Sequence, residues 1–154
     1  MPRRPTHIVF GGLAGVIAAS AVGPNEASPF SLIEAAAGLV GGCIGGAAPD
    51  LIEPATTPLH RGVFHSAALG GGALAAAAKY GKELEHDLRR GLAALHAEAQ
   101  AETDPTRRAL KWLLVILAHA ATGFAVGIGA GYLSHLALDA VASPSSLPVV
   151  CKGL

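Results

Sequence analysis

Four apolar stretches alternate with short polar gaps along the chain, at about 7–22, 32–48, 64–80 and 110–142. Alanine is abundant in them while aromatic and β-branched residues are few, so the pattern predicts helices rather than strands. Prolines cannot continue a helix and mark the gaps. These prolines are Pro24, Pro29, Pro49, Pro54 and Pro58.

A polar stretch at about 81–106 separates the third and fourth apolar segments. Leucines recur in it at helical spacing, and we predict a separate amphipathic helix that ends at Asp104-Pro105. Those leucines are Leu84, Leu88, Leu92 and Leu95. The sequence therefore predicts an all-α fold, an antiparallel bundle of four apolar helices plus one polar amphipathic helix. We expect a single domain over 1–154.

Glycines recur at every fourth position in three of the apolar segments, and each series meets a histidine or an aspartate. Residues four apart share one helix face, and small residues there let two backbones approach closely. The alternative is that glycine-rich helices simply pack tightly and the polar residues follow by chance. The series are His7-Gly11-Gly15, Gly38-Gly42-Gly46-Asp50 and Gly123-Gly127-Gly131-His135-Asp139.

Short connections favour antiparallel neighbours, and this topology brings several histidines and aspartates to one end of the bundle. Four imidazoles and two carboxylates suffice for one ion, or for two ions that share a bridging oxygen. Nitrogen and oxygen ligands without thiolate suit zinc, manganese or iron. The predicted metal ligands are His7, Asp50, His60, His65, His135 and Asp139.

Two further residues beside this set are candidates for catalysis. Arg61 could clamp phosphate or carboxylate oxygens, and the alternative is an ion pair with Glu53 or Asp50. Glu53 is the best spare general base, although a solvated loop acid would look the same in sequence.

The remaining polar residues have plainer interpretations. Ser66 is expected to be a helix N-cap or a core hydroxyl rather than a nucleophile. His86 and His96 are expected to face solvent on the polar helix. His119 points roughly opposite to His135 by the 3.6-residue period, so we expect a structural role for it.

Composition narrows the function classes. Charged residues make up 14% of the chain, against roughly 25% in typical soluble domains. The formal net charge is zero, so no basic surface indicates nucleic-acid binding. Cys43 and Cys151 are isolated, which argues against a thiolate zinc site or a disulfide framework.

Three motifs resemble the YdjM-like family of membrane-bound metal-dependent hydrolases over nearly the whole chain. The motifs are Gly46-Ala47-Ala48-Pro49-Asp50, His60-Arg61-Gly62-Val63-Phe64-His65-Ser66 and Gly131-Tyr132-Leu133-Ser134-His135-Leu136-Ala137-Leu138-Asp139, with His7 ahead of them. The family usually has a second aspartate two residues after the position of Asp50. This chain has Ile52 there, with Glu53 beside it.

The resemblance implies a metal-dependent hydrolase of the bacterial inner membrane. Our leading hypothesis is that a metal-activated water attacks a phosphoester or similar bond of a small-molecule or lipid substrate. More distantly, the pattern is similar to the helical fold of zinc-dependent phospholipase C and S1-type nucleases. The alternative is a non-enzymatic helical membrane or assembly protein with a structural or vestigial metal site, in a homo-oligomer or larger assembly.

Composition and segment length favour different locations. The apolar segments before the fourth are shorter than the roughly 20 residues of a spanning helix, which favours a compact soluble cytoplasmic bundle. The apolar composition and the resemblance favour the membrane, and we expect membrane association. Arg3 and Arg4 precede an apolar run as in a signal peptide, but cleavage would remove His7, so we expect this run to be a core helix.

Overall fold

The structure is a computed structural model that describes residues 4–23, 28–53 and 64–142. Helices account for nearly all of these residues, which confirms the all-α prediction and the bundle. In chain order they are α1 (Arg4–Val22), α2 (Pro29–Ile52), α3 (Ala67–Ala101) and α4 (Pro105–Ala142).

The predicted separate polar helix is wrong, because α3 runs without a break from Ala67 to Ala101. The apolar segment and the polar stretch are two halves of one 35-residue helix. Gly81 stands where they join and meets no neighbouring atoms. A glycine inside a helix costs about 1 kcal/mol relative to alanine, and the strong helix formers around it outweigh that cost.

The glycine series are the contact surfaces of α1, α2 and α4. A Cβ added to Gly42 would collide with the carbonyl oxygen of Gly11 on α1. A Cβ on Gly131 of α4 would collide with the carbonyl oxygen of Gly42. Any side chain at these positions would therefore force the helices apart, and glycine is what allows backbone-to-backbone packing.

The order of these contacts fixes the helix directions. Gly11 lies against Gly46 while Gly15 lies against Gly38, so α1 and α2 are antiparallel. Gly127 contacts Gly38 just as Gly131 contacts Gly42, so α2 and α4 are parallel. Since α3 joins the end of α2 to the start of α4, the four helices alternate in direction as predicted. We call the end with His7 and His135 the site pole and the end with His119 the far pole.

Local capping sets where the helices begin. Ser28 and Ser31 bond reciprocally to each other's backbone amides at the start of α2. Ser66 accepts a hydrogen bond from the Leu69 amide at 3.2 Å, which confirms its predicted capping role. Asp104 caps α4, whose first residue is proline. These caps satisfy amide groups that have no partner inside the helix.

Three helices, α1, α2 and α4, are long and apolar enough to cross a membrane. Their 19, 24 and 38 residues exceed the apolar runs seen in sequence, because each helix extends into the flanking positions. Many large apolar side chains on the outer surface are exposed, among them Ile17, Leu32 and Leu117. The expectation of a soluble bundle rested on short segments, and the helix lengths remove that argument.

Candidate metal centre

Five of the six predicted metal ligands meet at the site pole. His7 comes from the start of α1, Asp50 from the last turn of α2 and His65 from the residue before the Ser66 cap. His135 and Asp139 lie one turn apart near the end of α4. All except Asp50 are almost completely buried. His60 and Arg61 lie outside the described residues, so their roles stay predictions.

The first group of ligand atoms joins α1 to α4. His7 Nε2 lies 3.4 Å from Asp139 Oδ1, and His135 Nε2 lies 3.7 Å from Asp139 Oδ2. The rings of His7 and His135 stack with their centroids 3.9 Å apart. Each of the three residues offers a ligand atom within 4.8 Å of the other two.

The second group shares His135 with the first. His135 Nε2 lies 3.2 Å from His65 Nε2, and Asp50 Oδ1 lies 3.4 Å from His65 Nε2 and 3.8 Å from His135 Nε2. Ligands around an ion with bonds of about 2.0–2.2 Å stand about 2.8–3.6 Å apart in octahedral or tetrahedral geometry. The spacing of these atoms is therefore close to that of a coordination shell.

In His65 and His135, a hydrogen bond from Nδ1 decides which ring nitrogen is available to bind a metal. His135 Nδ1 lies 2.7 Å from the carbonyl oxygen of Gly46, and His65 Nδ1 lies 2.9 Å from Glu53 Oε2. A carbonyl and a carboxylate can only accept, so both Nδ1 atoms carry a proton. In the neutral rings both Nε2 atoms then hold lone pairs, and these face each other at 3.2 Å. Such an arrangement needs a cation or an added proton between the rings.

His7 adds a second sign that a ligand belongs here. Its Nδ1 is the one buried side-chain nitrogen or oxygen with no hydrogen-bond partner within 4–23, 28–53 and 64–142. Buried polar groups normally have partners, and an exception calls for an explanation such as a bound water or ion. The imidazole–carboxylate set therefore fits a divalent ion of the zinc, manganese or iron class.

Glu53 supports the His65 ring rather than standing apart as a spare base. It follows α2 directly and accepts hydrogen bonds from His65 Nδ1 and from the Phe64 amide at 3.0 Å. Burial by itself would raise the pKa of Glu53, but these hydrogen bonds outweigh it and leave the pKa below its ordinary value. A carboxylate that holds the Nδ1 proton of an imidazole ligand orients it and raises its basicity.

The α2 terminus places Asp50 in the site despite a proline. Pro49 lies inside the helix, which continues to Ile52 and closes with the Glu53 amide donating to the Pro49 carbonyl at 2.8 Å. Asp50 thus stays on the helix instead of following it. Ile52, which stands where the resembling family has its second aspartate, is 56% exposed and belongs to neither ligand group.

Tyr132 is a residue that sequence reasoning missed. Its hydroxyl donates to the Phe64 carbonyl at 3.0 Å, which ties α4 to the segment that carries His65. The only sequence signal was its place in the Gly131–Asp139 motif, one turn before His135.

The far pole contains a second polar cluster, about 24 Å from the first along α4 at 1.5 Å per residue. His119 is buried and bonded to Glu34 of α2, so it faces the same helix as His135 and its predicted opposite orientation is wrong. The prediction that His96 faces solvent is wrong, because His96 is partly buried against His119. His86 is exposed as predicted. Glu34 and Arg89 were missed, although an acid inside an apolar segment always needs a partner.

No protein-family model, curated protein or solved structure matches this chain. The resemblance to the YdjM-like family stays a prediction from the motifs.

Proposed function

We propose that this protein is a metal-dependent hydrolase that acts on a phosphoester or a similar bond. The observation that carries the proposal is the pair of imidazoles, His65 and His135, whose Nδ1 atoms are both engaged and whose Nε2 atoms meet at 3.2 Å beside Asp50. Two lone pairs directed at each other repel and would not stabilise a structural core. Both can instead bind a divalent ion that lies between them.

The ligand atoms of both groups would hold a single ion. His135 belongs to both groups and has only its Nε2 available, because its Nδ1 donates to Gly46. One imidazole nitrogen binds one ion, so a second ion would keep only two of the described ligand residues of its group. The proposed ligands are His7, Asp50, His65, His135 and Asp139.

A bound divalent ion supplies Lewis acidity and makes water a nucleophile near neutral pH. The chain's own groups would orient the metal ligands and bind the substrate. Glu53 keeps the proton on His65 Nδ1, and Asp50, whose side chain is 25% exposed, marks the side from which a substrate would approach. Arg61 is our candidate for holding the anionic oxygens of the substrate.

The proposed location is the membrane, with α1, α2 and α4 as spans. Because α2 and α4 run in the same direction, α3 would also have to cross the bilayer to connect them. The site pole would then lie at one face of the bilayer, since α1, α2 and α4 place four of the five proposed ligands at that end and His65 precedes α3 there. Soluble substrates and lipid headgroups could both reach such a site.

Metal content is the first test. The protein purified in detergent should contain close to one equivalent of zinc, manganese or iron by mass spectrometry, and the His65→Ala/His135→Ala double variant should contain almost none. His86→Ala is the matched control because His86 is exposed on α3. A double variant that keeps its metal contradicts the proposed centre.

Activity is the second test, on the same preparations. Wild-type protein should hydrolyse a chromogenic phosphodiester, and both chelation and the double variant should lower the rate at least 100-fold. Activity that survives in the metal-free double variant contradicts a metal-dependent mechanism.

One observation favours a second candidate, a non-enzymatic membrane protein with a structural metal. His7, His135 and Asp139 are at most 3% exposed, so the first ligand group is closed to solvent. This candidate predicts stoichiometric metal, no hydrolysis of any phosphodiester and a large loss of thermal stability on chelation.

A further inference from the structure

The far pole is held together by a buried carboxylate. Glu34 of α2 is 1% exposed, and the guanidinium of Arg89 from α3 binds both of its oxygens, at 2.8 and 2.9 Å. The same guanidinium donates to the carbonyl oxygen of Val22 at the end of α1. One side chain of α3 therefore joins the ends of two other helices.

Two histidines extend this contact to α4. His119 Nδ1 lies 2.5 Å from Glu34 Oε1 and must donate to it, since the carboxylate only accepts. The neutral His119 ring then has a lone pair on Nε2, which lies 3.0 Å from Nε2 of His96 on α3. A proton on His96 Nε2 completes the chain of hydrogen bonds from α3 through α4 to α2.

The surroundings of His96 are otherwise aromatic. The Phe30 ring meets His96 edge-on with centroids 4.6 Å apart, and Trp112 does so at 5.5 Å. Among the described residues, the titratable or charged groups of this cluster are Glu34 on α2, Arg89 on α3 and His119 on α4, while α1 contributes only a backbone carbonyl.

We propose that this cluster is a pH-sensitive latch, which holds the polar half of α3 on the bundle at neutral pH and releases it when both imidazoles are protonated. The hydrogen bonds accommodate one added proton. His119 can carry both ring protons beside Glu34, while His96 moves its proton to Nδ1 and accepts from His119.

A second proton cannot be accommodated. It would place two N–H groups in contact at the 3.0 Å that now separates the nitrogens, with no acceptor between them. It would also put two positive rings in contact, one of which shares Glu34 Oε1 with the Arg89 guanidinium. Like charges this close in a partly buried site repel strongly, so the pair separates and the polar half of α3 loses this contact with α4.

The sign of the pH dependence follows from His96. Burial, and then repulsion from His119, lower the pKa of His96 below 6.5 in the docked state. A ring on an undocked α3 takes up the proton more readily, so docking weakens as the pH falls below about 6.5 and is fully restored above it.

Trp112 is the only tryptophan of the chain and touches His96, so its fluorescence reports on the latch. We expect the wild-type emission to change between pH 7.5 and 5 with a midpoint below 6.5, because the latch closes only while His96 is neutral. His96→Gln keeps a hydrogen-bond donor for His119 but cannot titrate, and its emission should stay constant. His86→Gln, on the exposed face of α3, should behave like wild type.

Amide hydrogen exchange separates release of α3 from a local change at the ring. After correction for the intrinsic rates, protection of residues 88–101 should fall at least about tenfold between pH 7.5 and 5.5 in wild type and remain in His96→Gln. The His135→Ala variant should keep this transition, which makes it independent of the site pole. A wild-type α3 that stays protected, or a His96→Gln variant that releases α3 like wild type, overturns the proposal.

Discussion

The site pole and the far pole both contain two histidines whose Nε2 atoms meet, at 3.2 Å and 3.0 Å. At the site pole the Nδ1 atoms of both rings are held by acceptors, so neither ring, when neutral, can supply a proton to the other. At the far pole only His119 is fixed in this way among the described contacts, and His96 can donate. The same pair is thus a candidate ligand set at one end and a hydrogen bond at the other.

The carboxylates follow the same division. Glu34 has both oxygens bound by Arg89, which balances its charge within the far pole. Asp50 and Asp139 instead face imidazole nitrogens at 3.4–3.8 Å, beyond the roughly 2.7–3.2 Å of a typical N–H···O hydrogen bond and suited to an ion between them. By residue type alone, the two clusters would be equally good candidates for a metal site. They differ in the partners of their ring nitrogens and carboxylates.

The first of the two largest effects should come from Gly42→Ala, which acts on both poles because Gly42 lies on the helix contact between them. The new Cβ would meet the backbone of Gly11, and Gly131 already packs on Gly42 from the other side. We expect a loss of about 3 kcal/mol in the free energy of unfolding, measured by chemical denaturation in detergent. Gly72→Ala, where nothing lies within 4 Å, should instead stabilise by up to about 1 kcal/mol. Equal effects of the two changes would contradict the packing of the glycine series.

A loss of about 3 kcal/mol is also expected for Arg89→Leu, which breaks the far pole alone. It leaves the buried Glu34 with His119 as its remaining partner within the cluster. The neighbouring Arg90→Leu is the control, because Arg90 pairs with Asp87 on the surface and should cost less than about 1 kcal/mol. Metal content should be unchanged in both variants. Loss of metal in Arg89→Leu would mean that the poles are not independent.

The smallest effect is expected for Glu53→Gln, which touches only the site pole. A glutamine oxygen still accepts from His65 Nδ1 but carries no charge, so the ring becomes a weaker ligand. We expect metal affinity to fall about 10- to 100-fold by titration calorimetry, while the free energy of unfolding of the metal-free protein barely changes. Glu98→Gln, on the exposed surface of α3, serves as the control. An unchanged affinity would show that Glu53 does not support His65.

Much of the site pole could be predicted because it depends on chain direction. Apolar segments that alternate in direction bring the start of α1, the end of α2 and the end of α4 to one end, and the ligand residues stand at those positions. The continuity of α3 could not be predicted, because the change from apolar to polar composition after Tyr80 resembles a boundary. A helix needs only good helix formers and a capped start, and neither depends on polarity.

The Glu34–Arg89 pair was beyond sequence reasoning for a different reason. The two residues are 55 positions apart, and their meeting depends on how far each helix is rotated about its axis. Local periodicity identifies the face of a helix but not the residue it will meet.

Sequence by itself determined α1, α2 and α4, the alternating direction of the helices and the close approach of these three, since periodicity and glycine spacing act within one segment. Tertiary structure decided which nitrogen of each histidine is available and which carboxylate is already paired. Those properties depend on partners from other helices at hydrogen-bond distance, which only the packed arrangement specifies.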